Sequence, residues 1–195
     1  MCSLCRLGLT EFEWSWSYAL LDGRLRELIH LFKYSRMRPL AWPLGTWLAY
    51  AYPRLEHFDA LVPMPLHWWK KMQRGFNQSD LLARELSRRI GVPVLNAARR
   101  PRRTAVQATL TPAQRRDNVR GAFDVPVPEQ VRGLSLLLVD DVMTTGSTVN
   151  ACAKALKLAG AARVCVLTVA RAGRQSDARI LSVSAAPGLV RGVTA

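Results

Sequence analysis

The sequence predicts an α/β fold in which a parallel β-sheet is flanked by helices. Short apolar segments alternate along the chain with segments whose apolar residues recur at helical spacing. The two junctions richest in polar side chains each follow an apolar segment and precede a helical one. In a parallel sheet such junctions meet at the carboxyl edge of the strands, where α/β proteins bind their ligands.

The first predicted elements are a strand and two helices. Residues 14–21 alternate aromatic or apolar side chains with small ones, which is typical of a half-buried strand. From Leu25 to Phe32 the apolar residues recur at i, i+3, i+4 and i+7, and this spacing predicts an amphipathic helix that ends at Pro39. Another helical stretch begins at Pro43.

The next predicted strand runs into a proline-rich turn and a polar loop. Proline removes backbone donors and fixes φ, so the strand must stop at Pro63, Met64 and Pro65. Just before the following helix stand a guanidinium, a glycine and two amides: Arg74, Gly75, Asn77 and Gln78. Asn77 or Ser79 can cap that helix. We interpret this junction as an anion site, the alternative being an ordinary basic loop with a helix cap.

The second polar junction lies in residues 136–148. Four apolar residues lead into Asp140 and Asp141, and a helical pattern follows a turn made of Thr144, Thr145, Gly146, Ser147 and Thr148. A helix N-terminus favours an anion such as phosphate. Adjacent carboxylates can accept hydrogen bonds from sugar hydroxyls or reach Mg²⁺. The stretch predicts a ribose 5-phosphate site, the alternative being that the acids cap the helix and the threonines only form the turn.

Residues 97–121 form a strongly basic segment with poor apolar periodicity. We predict a long arm between strands, serving as a solvated loop, a lid over phosphates or a nucleic-acid contact. The candidates for a flexible loop or nucleic-acid contact are Lys33, Arg103, Gln107, Arg115 and Arg116. The net charge of +14 likewise indicates anionic partners, either phosphorylated small molecules or nucleic acid.

The cysteines and the chain ends suggest how the chain is organised. Cys2 and Cys5 are spaced as half of a tetrahedral zinc site, so a zinc site within this chain would be incomplete. Cys152 and Cys165 fit small buried positions instead. We expect a remnant zinc-finger-like module over 1–13, the main domain over 14–171 and a flexible tail over 172–195. No membrane-length apolar segment and no signal peptide is visible, so we expect a cytoplasmic protein without membrane insertion.

An ordered set of motifs over residues 14–171 resembles the ComF family of phosphoribosyltransferase-like proteins. Residues 136–148 are similar to the 5-phosphoribosyl-1-pyrophosphate (PRPP) signature of type I phosphoribosyltransferases. The other matching positions are Lys33-Tyr34, Val62 to Pro65, Arg74 to Gln78, Thr104, Gln107, Arg116, Asn118-Val119 and Ala122-Phe123. Two departures are visible: only half of the family's four-cysteine module is present, and Ser35 stands where a glycine often follows Lys-Tyr.

The resemblance implies a type I phosphoribosyltransferase fold and a set of roles. Asp140 and Asp141, the candidate catalytic residues, would hold the ribose hydroxyls, and residues 144–148 the 5-phosphate. Arg74 and the backbone near Met64 would hold pyrophosphate with Mg²⁺. The basic arm would be the flexible loop.

The resemblance also implies a role linked to natural competence and the competence machinery. We expect a protein that binds PRPP or a phosphorylated nucleotide and handles imported single-stranded DNA. Trp68, Trp69 and Phe76 are candidates for stacking on unpaired bases, the alternative being that they pack in the core. Two other readings stay open: a working transferase that moves phosphoribosyl onto a nucleobase with release of pyrophosphate, and a PRPP-sensing regulator without catalysis. Fold alone does not separate them.

Overall fold

The computed structural model describes residues 10–101, 121–173 and 190–193, the last four by their backbone alone. Within these ranges one sheet contains β1 (Trp14–Leu20), β2 (Ala60–Pro63), β3 (Ser135–Met143), β4 (Arg163–Arg171) and β5 (Val190–Val193). The strands lie in the order β2-β3-β4-β1-β5. The first four are parallel and β5 is antiparallel to β1. The predicted parallel sheet is confirmed.

The helices of the described ranges cover both faces of this sheet. They are α1 (Gly23–Tyr34), α2 (Ala41–Ala51), α3 (Trp68–Arg74), α4 (Gln78–Ile90) and α5 (Ser147–Leu158). One apolar core lies beneath α5, and the other is formed with α1, α2 and α4. None of the helices in these ranges is both long enough and apolar enough to cross a bilayer.

The position of β3 inside the sheet explains why its sequence is a continuous apolar run. Successive side chains of a strand point to opposite faces of the sheet. Leu136 and Leu138 therefore pack in the core beneath α5, whereas Leu137 and Val139 pack in the opposite core, and all four are fully buried. A strand covered on both faces has no polar positions until it reaches the edge. The carboxyl ends of β2 and β3, which are neighbours, place the two polar junctions side by side.

Two elements between β1 and α4 differ from expectation. α1 ends at Tyr34 and not at Pro39, because Arg36 takes a left-handed φ of +54° that stops the helix. Pro39 lies instead in a short 3₁₀ turn. The loop after β2 contains the helix α3, which begins after His67 and ends at Gly75 with φ +78°. α3 buries none of its side chains fully, so it lacks the apolar face that would have revealed it in the sequence.

The later elements agree more closely with the predictions. Asn77 caps α4, its side chain accepting a hydrogen bond from the Ser79 amide at 3.2 Å, and Gly91 ends that helix in the left-handed conformation. Of the segment predicted as a tail, the four residues of β5 pair with β1, which extends the sheet by an antiparallel edge strand. Residues 174–189 and 194–195 lie outside the described ranges.

Candidate functional site

Asp140 and Asp141 are held by two different helices at the carboxyl end of β3. Lys33 Nζ of α1 lies 2.8 Å from Asp141 Oδ1. Ser79 Oγ of α4 donates to Asp140 Oδ1 at 2.9 Å, and the Asp141 amide donates to the same oxygen at 2.9 Å. Lys33, a candidate for a flexible loop or a nucleic-acid contact, lies within the helix that the sequence predicted, and its ammonium is ion-paired in the cleft. Both carboxyl groups are therefore fixed in orientation before any ligand arrives.

The two acids differ in their electrostatic surroundings. Burial and the neighbouring Asp141 carboxylate raise the pKa of Asp140 to about 7, although Lys33 and Ser79 act in the opposite direction. Burial lowers the pKa of Lys33, but its ion pair with Asp141 and the charge of Asp140 raise that pKa above the ordinary value overall. Near neutral pH Asp140 consequently exists in both protonation states. It can donate a hydrogen bond to a sugar hydroxyl or accept one.

The turn of small residues leads from β3 into α5. Gly146 immediately precedes α5 with φ +77°, a conformation that a side chain would strain. Thr145 Oγ1 and Ser147 Oγ lie 2.9 Å apart and so brace the turn. The first turn of α5 carries no acidic side chain, so the positive end of the helix dipole is not neutralised within the helix. These features suit a phosphate.

The proline-rich turn after β2 is tied to its neighbours by its backbone. The Met64 amide donates to Val139 O at 2.8 Å, and Met64 O accepts from Asn77 Nδ2 at 3.0 Å. Neither Pro63 nor Pro65 has an N–H group. Met64 and Pro65 line the cleft. The Met64 amide is already bonded to Val139 and the two prolines have no amide hydrogen, so these three residues offer no backbone donor to a pyrophosphate. Such a group must be held here by side chains or by the backbone beyond Pro65.

Arg74 is the best-positioned side chain for that task. Its guanidinium lies 5.1 Å from the centre of the Tyr34 ring and donates to Gln78 Oε1 at 3.1 Å. Arg74 Nε and Gln78 Nε2 are buried and have no hydrogen-bond partner in the structure. Buried donors are normally satisfied, and a ligand oxygen in the cleft would satisfy these two. Gly75 ends α3 and does not line the cleft.

Two further cations complete this side of the cleft. The sequence did not single out Lys70 as part of the phosphate site, and it placed Arg100 only within the basic segment 97–121. Lys70 of α3 and Arg100, which follows α4, line the same cavity as Arg74. Burial together with the charges of Arg100, Arg74 and Lys33 lowers the pKa of Lys70. Burial likewise lowers the pKa of Arg100. Cations this crowded repel one another, and an anionic ligand would relieve the repulsion.

The cavity enclosed by these groups has a volume of about 390 Å³, which is in the range of small-molecule sites. Both polar junctions contribute to its walls: residues 140–149 on one side, and Met64, Pro65, Arg74, Asn77 and Gln78 on the other. The structure thus brings together most of the predicted site, and it places Pro63 and Gly75 outside the cleft wall.

Several predicted residues lie outside the described ranges. They are Cys2, Cys5, Arg103, Gln107, Arg115 and Arg116. Roles for them in zinc binding, a flexible loop or a nucleic-acid contact stay predictions. Cys152 and Cys165 are buried free thiols, as expected. No cluster of three or more metal-binding side chains occurs among the residues that the structure describes.

Comparison with known proteins assigns the chain to a family. The model of the phosphoribosyl transferase domain matches residues 74–183. Competence protein F of Haemophilus influenzae is 39% identical over 116 residues, which cover 58% of this chain and 51% of that protein. DNA utilization protein YhgH of Escherichia coli is 39% identical over 154 residues, covering 75% of this chain and 67% of that protein. The chain belongs to the ComF family.

The ComF assignment agrees with the observed sheet, whose four parallel strands and flanking helices are those of a type I phosphoribosyltransferase fold. Competence protein ComFC of Bacillus subtilis is a more distant relative, 33% identical over 119 residues that cover 60% of this chain and 45% of that protein. This ComF chain spans about half the length of the Haemophilus relative. Among solved structures, glutamine PRPP amidotransferase from Bacillus subtilis aligns at a TM-score of 0.46 and 22% identity, over 66% of this chain and 25% of that one.

Proposed function

We propose that the cleft binds PRPP, or a nucleotide that shares its ribose 5-phosphate. Asp140 and Asp141 would hold the ribose hydroxyls, residues 144–148 the 5-phosphate, and Arg74 with Lys70 the pyrophosphate. The observation that carries the proposal is the position of the acid pair between a helix N-terminus and a cluster of cations in one cavity. A ribose that carries phosphates at both ends has this distribution of charge.

Mg²⁺ would accompany PRPP. Mg²⁺ in phosphate-handling proteins is commonly held by one or two carboxylates together with the oxygens of the substrate. The cleft offers two carboxylates, Asp140 and Asp141, and one of them is already paired with Lys33. The residues therefore fit an ion that arrives with PRPP better than an ion held by the protein alone. It would neutralise pyrophosphate charge, while Asp140 and Asp141 orient the sugar.

We further propose that the protein handles single-stranded DNA in natural competence or DNA utilization. The names of the Haemophilus and Escherichia relatives support this role. The net charge of +14 supports it as well, because cations that neutralise DNA phosphates give binding that weakens steeply as salt increases.

A working phosphoribosyltransferase is the second candidate, and the order of the strands favours it. The pyrophosphate would lie at the carboxyl end of β2, and the ribose carbon that carries it would lie at the carboxyl end of β3. The acceptor attacks that carbon from the side opposite the leaving pyrophosphate. It would therefore approach from the side of β4 and β1, which follow β3 in the sheet. The cavity extends to that side, where Leu21, Ile29 and His30 line it. An apolar wall beside an imidazole suits a planar nucleobase. Positioning and charge stabilisation are what such a transfer requires.

Phosphorus NMR of PRPP with Mg²⁺ tests both candidates. We expect the PRPP signals to broaden on addition of protein, and to do so much less with Asp141→Asn. Asp59→Asn is the matched control, because Asp59 lies beside Ser135 at the amino ends of β2 and β3, whereas the cleft lies at their carboxyl ends. Unchanged broadening with a folded Asp141→Asn variant would contradict the proposed site. Pyrophosphate that appears with one nucleobase and not without it would establish the transferase. PRPP that stays intact with every base would favour a protein that handles single-stranded DNA or senses PRPP without catalysis.

A further inference from the structure

A second cavity of about 480 Å³ adjoins the cleft, and α3 contributes residues to both cavities. Lys70 and Arg74 of α3 line the cleft, whereas Trp68 and Lys71 line the second cavity. Residues three or four apart share a face of a helix, so α3 presents one cationic face to each cavity. Pro65, Leu66, Asn77 and Arg100 line both cavities. The second cavity is therefore a direct neighbour of the cleft, and its remaining lining residues are its own.

The lining of the second cavity is basic. Lys71, Arg99 and Arg100 contribute three cations, and Asp124 contributes the single carboxylate. The acid pair and the turn of residues 144–148 are not part of this wall. The cavity thus offers a binding place for phosphate, but it lacks the adjacent pair of carboxylates that would bind the hydroxyls of a ribose.

Trp68 gives the second cavity an aromatic surface. Trp68 is 57% exposed and lines the cavity together with Lys71. The other two aromatic candidates for base stacking behave differently. Phe76 is buried and packs 5.7 Å from Phe32, which agrees with the alternative that it packs in the core. Trp69 is partly exposed but lines neither of the two cavities.

We propose that the second cavity binds one nucleotide unit of a single-stranded oligonucleotide. The base would stack on the Trp68 indole, and Lys71 and Arg99 would hold the phosphate beside it. Arg100, shared by both walls, lets the strand continue towards the cleft. The inference rests on the proposed handling of single-stranded DNA and names the place where the strand is held. An aromatic surface between cations is how proteins bind single strands without reading sequence, because every base has a π-face.

The test measures binding of a fluorescein-labelled oligothymidylate, about eight nucleotides long, by fluorescence anisotropy. We expect Trp68→Ala to weaken binding about tenfold or more, in line with the loss of one stacked base. Trp42→Ala is the matched control: Trp42 is 64% exposed and lies 5.9 Å from a guanidinium, that of Arg89, but it lines neither cavity. We expect this control to bind as the wild type does. Thermal melting verifies that each variant is folded, and Trp68→Phe, which keeps a ring, should retain most of the affinity.

Salt dependence tests the phosphate contacts. Lys71→Gln and Arg99→Gln should each reduce the slope of log affinity against log salt by about 0.7, the value for one single-strand phosphate contact. A duplex of the same length should bind more weakly and without dependence on Trp68, because its bases are already stacked. Equal binding by Trp68→Ala and the wild type would overturn the proposal. So would equal losses in the Trp68 and Trp42 variants, or a wild type that does not bind the single strand.

PRPP binding by the same variants separates this inference from the proposed cleft. Trp68 does not line the cleft, so Trp68→Ala should bind PRPP as the wild type does. A wild type that binds PRPP but no oligonucleotide would refute the second site together with the proposed handling of single-stranded DNA, and would leave the cleft assignment standing. Oligonucleotide binding that does not depend on Trp68 would refute the second site alone. Oligonucleotide binding that depends on Trp68, in a protein that does not bind PRPP, would refute the cleft assignment alone.

Discussion

Replacing Asp140 by asparagine should stabilise the protein while it weakens PRPP binding. Asp140 Oδ1 accepts hydrogen bonds from Ser79 Oγ and from the Asp141 amide. An asparagine Oδ1 in the same place can accept both, so Asp140→Asn removes a charge without breaking either bond. The charge is the destabilising feature, because burial and the neighbouring carboxylate raise the pKa of Asp140 to about 7.

The size and the pH dependence of the effect follow from that pKa. The pKa of Asp140 is higher in the folded protein than its ordinary value of 3.8, so folding favours the protonated acid and stability falls as the pH rises from about 4 through 7. The difference between about 7 and the ordinary value of 3.8 corresponds to about 4 kcal/mol once the pH exceeds 7. Asp140 lines an open cleft, and solvent screening reduces this figure, so we expect about 2 kcal/mol at pH 8 and less than about 1 kcal/mol at pH 5.

Thermal unfolding at pH 5 and pH 8 measures the difference. For a chain of this size about 2 kcal/mol corresponds to an increase of roughly 4–8 °C in Tm at pH 8, with a much smaller increase at pH 5. Asp59→Asn should change the stability in the opposite direction. Hydrogen bonds from the Ser135 amide and His57 lower the pKa of Asp59, so this variant should lose stability at pH 8. An Asp140→Asn variant that is less stable than the wild type at pH 8, or equally stabilised at both pH values, would refute the reasoning.

Three further variants test the packing and the charges. Gly45→Ala should lower Tm, because a Cβ on Gly45 would lie 2.4 Å from Glu85 Cβ at the crossing of α2 and α4. Overpacking of this kind costs about 1–3 kcal/mol. An unchanged Tm would show that the two helices move apart without cost. Lys33→Met should destabilise the protein by about 3 kcal/mol in urea unfolding, because Asp141 is left buried without its cation. Adding Asp141→Asn should restore part of the lost stability. A double variant no more stable than Lys33→Met would contradict the ion-pair explanation. Arg74→Lys should weaken PRPP binding about tenfold or more in calorimetry with little change in Tm, because lysine cannot reproduce the paired donors of the guanidinium; wild-type affinity would remove Arg74 from the pyrophosphate site.

The sequence predicted the sheet and the acid pair for a local reason. A central parallel strand is buried on both faces, so its run of apolar residues is long and ends abruptly at the edge where polar groups become possible. Leu136 to Val139 followed by Asp140 and Asp141 is such a pattern. The cap at Asn77 was predictable for the same reason, because it depends on only two neighbouring residues.

The contacts of the acids with Lys33 and Ser79 were not predictable, because they join different elements. Lys33 lies on α1 and Ser79 on α4, and only the packing of both helices against β3 brings them to the carboxylates. Lys70 reaches the cleft on α3, a helix of seven residues without a buried face, so no apolar periodicity indicates which of its side chains point inwards. Local spacing identifies a strand or a cap, but it carries no information on contacts between distant elements.

Several groups of the cleft are unfavourable to the stability of the free protein. The pKa of Asp140 is raised, the pKa of Lys70 is lowered, and the buried Arg74 Nε has no hydrogen-bond partner. Each of these costs stability in the free protein, and each could be replaced by a neutral or smaller side chain without disturbing the apolar cores. A ligand with hydroxyls beside Asp140 and phosphates beside Lys70 and Arg74 would remove all three costs at once. Residues that break the rules of stability together, in one cavity, indicate a site maintained for binding.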